Sequence, residues 1–188
     1  MKSSHRKYEL KTHVLGDHQL INAACAISAV ESLKKNGFDI RPESIKSGLE
    51  NVKLAGRFEI VSKSPYVILD GAHNTAGIRS TREAVSALFK SSNIILVLGI
   101  CSDKDIPAMM KEIASVAETV IVTAHSLQSR ATDPKILSKE ACKYSKNVII
   151  KPTVKGALEY ARSIADRKDV ILVTGSLYLV GDAKRILD

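Results

Sequence analysis

At 188 residues the chain is long enough for one full domain and part of another, and a composition that is 45% hydrophobic can fill a core of that size. Its 28 basic and 20 acidic residues leave a formal charge of +8, but the cations are scattered without a dense run or aromatic interleaving, so the excess suits phosphorylated or polycarboxylate small molecules and nucleic acid is not expected. The absence of a long apolar run and of a secretory core after the first residues argues against a membrane span and for a cytoplasmic protein, while Cys25, Cys101 and Cys142, far apart and in no Cys-x-x-Cys pair, read as buried thiols and not as disulfides or a zinc site.

From Asp17 to Lys35 the residues Leu20, Ala23, Ala24, Ile27, Val30 and Leu33 recur at steps of three and four, the pattern of one helix face, and Asn36-Gly37 ends it. Pro42 opens a second helix to about Asn51, with proline in the first turn, and a leading strand is expected before Asp17. After residue 54 the pattern changes to short apolar runs alternating with helical stretches. Strands are expected at Arg57–Val61, Tyr66–Leu69, Ile94–Leu98, Thr119–Thr123, Asn147–Ile150 and Asp169–Thr174. Helices are expected at Ala76–Phe89, Ile106–Val116, Pro134–Tyr144, Val154–Asp166 and Leu177–Leu187.

Such alternation predicts a Rossmann-like α/β fold, a mostly parallel six-stranded sheet flanked by helices and preceded by a helical segment. A boundary is placed at residue 54. Residues 1–54 hold too little for an independent core and read as the tail of something larger or a docking arm, and 55–188 as a complete α/β domain.

In an open α/β sheet the chemistry gathers at the carboxyl ends of the strands. Asp70, His73 and Asn74 follow the apolar run Val67-Ile68-Leu69, and a carboxylate, an imidazole and an amide placed there can orient a ribose, a water or a hydrated magnesium ion, or simply cap the next helix. Arg57, after Gly56, can grip a phosphate or carboxylate in bidentate fashion or serve as a surface ion-pair partner. Ser176, after Gly175, combines backbone N–H groups and a hydroxyl suited to an anion, with plain capping as the competing reading. Ser102-Asp103-Lys104-Asp105 reads as a solvated helix start that can also offer a lysine or carboxylate to a nucleotide, and His125 as part of a loop without a partner. No Gly-x-x-x-x-Gly-Lys-Ser/Thr loop, Gly-x-Gly-x-x-Gly fingerprint, His-Glu-x-x-His or Gly-x-Ser-x-Gly elbow occurs, so no complete catalytic engine is present.

Several short motifs in order carry a resemblance. They are Gly16-Asp17-His18-Gln19 with Asn22-Ala23-Ala24, Gly56-Arg57-Phe58-Glu59, Asp70-Gly71-Ala72-His73-Asn74, Gly99 with Asp103-Lys104-Asp105, Arg130-Ala131, and Thr174-Gly175-Ser176-Leu177-Tyr178-Leu179-Val180-Gly181. In these the chain resembles the carboxyl-terminal part of the folylpolyglutamate synthase and dihydrofolate synthase family of the Mur ligase superfamily.

The resemblance implies an ATP-dependent ligase that activates a folate or pteroate carboxylate as an acyl phosphate and joins it to glutamate, with the nucleotide held between a central P-loop domain and a Mur ligase carboxyl-terminal domain. By motif position it implies that Asn22, Arg57 and Asp70 contact ATP and that His73 and Ser176 lie near the incoming glutamate, with His73 the catalytic candidate. It implies ATP and Mg2+ as cofactors, no metal ligand within this chain, a P-loop central domain supplied in cis or in trans, and a chain that is inactive alone. The first 54 residues would then be the tail of that central domain. A face left bare by its absence is expected to be apolar and to favour a homodimer. A non-catalytic module that senses a nucleotide or docks a partner, and a peptidoglycan Mur ligase fragment, are the alternative readings.

Overall fold

The computed structural model describes Glu9 and residues 12–188 and divides into two compact units, Met1–Leu54 and Ala55–Asp188. In the first, α1 (Asp17–Lys35) ends where Gly37, at φ 93°, lets Phe38 N donate to Leu33 O at 3.2 Å, and α2 (Pro42–Asn51) starts on proline. Ile45 is the buried side chain of α2, and a groove of about 250 Å³ runs between the two helices, lined by Ile27, Val30, Ile40, Ile45 and Leu49 among others. Leu20, Ile21, Leu33 and Phe38 stay exposed. The expected leading strand falls largely outside the described residues, and residues 12–15 carry no regular secondary structure.

The second unit is a six-stranded sheet in the order β1-β2-β6-β3-β4-β5. Its strands are β1 (Glu59–Lys63), β2 (Tyr66–Asp70), β3 (Ile94–Leu98), β4 (Thr119–Val122), β5 (Val148–Ile150) and β6 (Val170–Thr174). All neighbours run parallel except β1, which pairs antiparallel with β2 as an edge hairpin. The intervening helices are α3 (Thr75–Leu88), α4 (Ile106–Ile113), α5 (Pro134–Ala141), α6 (Val154–Ile164) and α7 (Leu177–Leu187). The chain steps from β2 past one position to β3, continues to β4 and β5, then returns through α6 to insert β6 between β2 and β3. Right-handed crossovers in opposite directions put α3, α4 and α5 on one face and α6 on the other. The packing agrees, with α3 on α4, α4 on α5, and α6 and α7 together against the sheet.

Every residue of β3 and β6 is buried, as expected for central parallel strands covered on both faces. Val67, Leu69, Ile95, Val97, Ile171 and Val173 meet α6 and α7 through Ala157, Leu158, Ala161, Leu179 and Ala183. Their alternates, such as Ile68, Leu96 and Leu172, are also fully buried and by strand alternation face the α3–α5 layer. Each such side chain contributes roughly 1.5–3 kcal/mol.

Expected and observed element bounds differ by a few residues, with physical causes. The first strand starts at Glu59 and not Arg57, because Gly56 (φ 65°) and Phe58 (φ 47°) both sit in the left-handed region and form a turn. The helix expected over Ile106–Val116 closes as a 3-10 turn at Ala114–Val116, and α5 stops at Ala141. The expectation of three buried thiols is met at Cys101 alone: Cys25, on α1, and Cys142, in the turn that follows α5, are exposed. No helix among the described residues is long and apolar enough to cross a membrane.

Candidate functional site at the strand ends

The parallel registers level three strand ends, with Asp70 beside Thr174 and Thr174 beside Leu98. The chain leaves β2 and β3 toward one face and β6 toward the other, so a crevice opens between the loops that follow them. Backbone bonds hold these loops together: Gly175 N donates to Ala72 O at 3.1 Å, and Gly99 N to Thr174 O at 3.3 Å. Gly175 has φ 111°, and a Cβ there would stand 2.8 Å from Gly99 O, so only glycine fits. Gly71 is constrained as well, because a Cβ would run into Leu177 and come within 3.2 Å of Gly56 O.

A pocket of about 310 Å³ opens in this crevice, lined by His73, Cys101, Lys104, Arg130, Ser176, Leu177 and Tyr178. His73 Nδ1 lies 2.9 Å from Gly71 O, and since a carbonyl only accepts, Nδ1 carries the proton and Nε2 presents a lone pair in the neutral ring. Ser176 is buried, and its Oγ accepts from Leu179 N at 3.0 Å, capping α7 while keeping its hydroxyl proton to donate.

Lys104 Nζ and Arg130 Nη2 share one carboxylate oxygen of Asp103, at 3.0 and 2.9 Å. The Lys104 bond first, then the Arg130 bond, hold the Asp103 carboxyl down at about 2. Two cations over one anion, next to the amino-terminal end of α7, make a wall suited to an anionic ligand.

Asp70 and Arg57 do not line this pocket. Asp70 is 5% exposed, and its oxygens accept from Phe58 N at 2.8 Å, Ala72 N at 3.0 Å and Thr81 Oγ1 at 2.7 Å. Arg57 is half-buried between left-handed Gly56 and Phe58. Beside it, Glu59 accepts from Gly56 N at 2.7 Å and from Lys184 Nζ at 2.6 Å. Burial raises the Glu59 carboxyl, but the Lys184 bond, the Gly56 N–H and the Lys184 charge together bring it below its ordinary value. Asn74 caps α3 through Gly77 N at 2.8 Å, and Asn22, on α1 of the first unit, donates from Nδ2 to Gln19 Oε1 at 3.1 Å. Among the described residues no group of three His, Cys, Asp or Glu side chains is placed to hold a metal ion.

His125 is the residue whose sequence reading must be corrected. It is fully buried, with Nε2 3.5 Å from Cys101 Sγ and its ring 5.2 Å from that of Tyr178. Burial lowers its pKa, with Asp182 opposing and Arg130 adding to the shift. Nothing in the local sequence signals this, because Cys101 and His125 meet only once β3 and β4 are neighbours. Arg130 and Tyr178 come together for the same kind of reason, with Nη1 3.3 Å from the phenol oxygen.

The Mur ligase, glutamate ligase domain family matches residues 56–177 of this chain, which takes in β1 through the start of α7. The chain belongs to the Mur ligase family. Among relatives of this Mur ligase domain, the dihydrofolate synthase/folylpolyglutamate synthase of Bacillus subtilis (strain 168) is 31% identical over 193 residues, covering 99% of the chain and 43% of that protein. The folylpolyglutamate synthase of Mycobacterium tuberculosis, solved with ADP, superposes with a TM-score of 0.86 at 25% identity, covering 95% of this chain and 42% of that one. A bifunctional folylpolyglutamate synthase/dihydrofolate synthase solved with Mn, AMPPNP and L-glutamate bound superposes with a TM-score of 0.85 at 26% identity, over 99% of this chain and 43% of that one. The chain thus spans about two fifths of the length of these relatives.

Proposed function

We propose that this chain is the carboxyl-terminal portion of an ATP-dependent folylpolyglutamate/dihydrofolate synthase, contributing one wall of a site where glutamate is joined to a folate or pteroate carboxylate through an acyl phosphate. The observation that carries this reading is the pocket at the strand ends, where Lys104, Arg130 and Ser176 converge as donors, with His73 Nε2 as an acceptor, around a space of amino-acid size. A dicarboxylic amino acid suits such a wall better than a neutral one. Relatives solved with ADP, and with Mn, AMPPNP and L-glutamate, support the same assignment.

In this reading His73 stands near the incoming amine with Nε2 as acceptor, and Ser176 donates its hydroxyl to a glutamate carboxylate. Arg57 meets nucleotide phosphate. Asn22 keeps a nucleotide role from the first unit. Asp70 acts on the nucleotide by holding the Phe58 and Ala72 backbone in place, because its oxygens already accept three bonds from the chain. Phosphoryl transfer also requires a phosphate cradle and a divalent ion, for which we infer Mg2+. We assign both to a central P-loop domain supplied in cis or in trans, and residues 1–54 to the tail of that domain, in a cytoplasmic enzyme.

The test is ATP-dependent incorporation of labelled glutamate into dihydropteroate and tetrahydrofolate. The chain alone should be inactive, and a separately supplied P-loop domain should restore turnover. Robust turnover without that domain would overturn the claim of incompleteness, and failure of the chain to bind glutamate would remove the amino-acid site from this pocket.

A further inference from the structure

The Arg130 guanidinium is held to Asp103, but that pair is about half exposed on both sides, where water screens the attraction. Such a bond does not by itself keep a long side chain in one place. A second anchor is the Tyr178 ring, whose hydroxyl accepts from Arg130 Nη1 at 3.3 Å and whose centroid lies 5.7 Å from Arg130 Cζ. Tyr178, however, sits in the first turn of α7 with 40% of its surface exposed, so the ring needs support of its own. That support is His125. Its imidazole is fully buried and lies 5.2 Å from the Tyr178 ring at an interplanar angle of 33°.

His125 is fixed in turn by Cys101 Sγ, 3.5 Å from Nε2, and by its own loop, in which Gln128 Nε2 donates to His125 O at 3.2 Å. The next residue is held as well, with Ser126 N and Oγ donating to Asp182 at 2.6 and 2.8 Å. Rigid groups thus run from the core to the pocket wall in the order His125, Tyr178, Arg130. Nδ1 of His125 has no hydrogen-bond partner among the described residues, and the ring meets Tyr178 as a tilted aromatic pair.

We propose that His125 is a positioning residue for the pocket, its aromatic face holding Tyr178 and, through Tyr178, keeping Arg130 turned toward an anionic ligand; the choice of glutamate as that ligand rests on the function proposed above. The test uses the full chain with His125→Phe, which keeps an aromatic face, and His125→Leu, which keeps comparable volume without one; His125→Met replaces the leucine variant if that does not fold. The first readout needs no ligand: nuclear Overhauser contacts between the Tyr178 ring and the Arg130 side chain. They should persist in the parent and in H125F and disappear in H125L while the amide spectrum stays dispersed. Contacts retained in H125L, or lost equally in H125F, would overturn the proposal.

Titration with glutamate is the second readout, and it should show binding about three- to tenfold weaker in H125L and near the parent value in H125F. If the parent itself does not bind glutamate, the amino-acid reading of the pocket fails, while the ring contacts still decide the role of His125.

Discussion

Asp70 is a buried carboxylate with three donors from the chain itself, and two of them set the geometry of the loops around it. Its bond to Phe58 N holds a phenylalanine at φ 47°, a conformation that costs an L-residue roughly 1–2 kcal/mol, and the Phe58 ring, 2% exposed, helps offset that cost by burial. Asp70→Asn keeps the shape but turns one oxygen into a donor facing another donor. That change should destabilise the second unit by about 1–3 kcal/mol, read from the midpoint of chemical denaturation, with faster amide exchange at Phe58 or Ala72. An unchanged midpoint would mean that the carboxylate bonds are dispensable. The residue type and its place at a strand end were legible in the sequence, since an acid after Val67-Ile68-Leu69 marks the mouth of a sheet. The donors were not, because Phe58 and Thr81 lie 12 and 11 residues away and reach Asp70 only through the hairpin and the α3 packing.

Helix starts on the rim show how one residue can serve two purposes. Asn74, Asp105, Asp133, Thr153 and Ser176 all cap helices that follow strands, which bears out the capping reading at Asn74 and Ser176 and the helix start at Asp105. Ser176 differs in also lining the pocket. The two roles separate by substitution. Ser176→Ala should lose about 1 kcal/mol of stability and weaken glutamate binding, whereas Ser176→Asp should keep the cap and its stability but lose binding, because it sets an anion against an anion. Thermal unfolding and glutamate titration of the two variants measure this; tight binding by S176D would confine Ser176 to its structural role. Periodicity made the helices and parallel strands readable, since apolar spacing encodes the buried face directly. It did not reveal that the first strand is antiparallel, for that direction is set by the two-residue turn Ser64-Pro65 joining β1 to β2, whereas apolar spacing marks a buried face and not a strand's direction.

In the whole molecule, the unit Ala55–Asp188 contains the six-stranded sheet, while the described residues of Met1–Leu54 offer two helices with one buried apolar side chain and several exposed ones. Surface-to-volume scaling makes the smaller unit the weaker of the two. Brief trypsin treatment should therefore cut first in the irregular stretch around Lys53, leaving a resistant fragment that runs from Leu54 toward the carboxyl terminus, identified by intact mass. Early cleavage inside α3 or α6 would contradict this ranking. The α/β class, the approximate elements and the strand-end motifs are legible along the chain, because they depend on local spacing, caps and β-branched runs. Which motifs share a pocket depends on the folded topology. The return of β6 between β2 and β3 is a long-range event, and it alone brings His73, Lys104 and Ser176 to one wall and sets Tyr178 between His125 and Arg130.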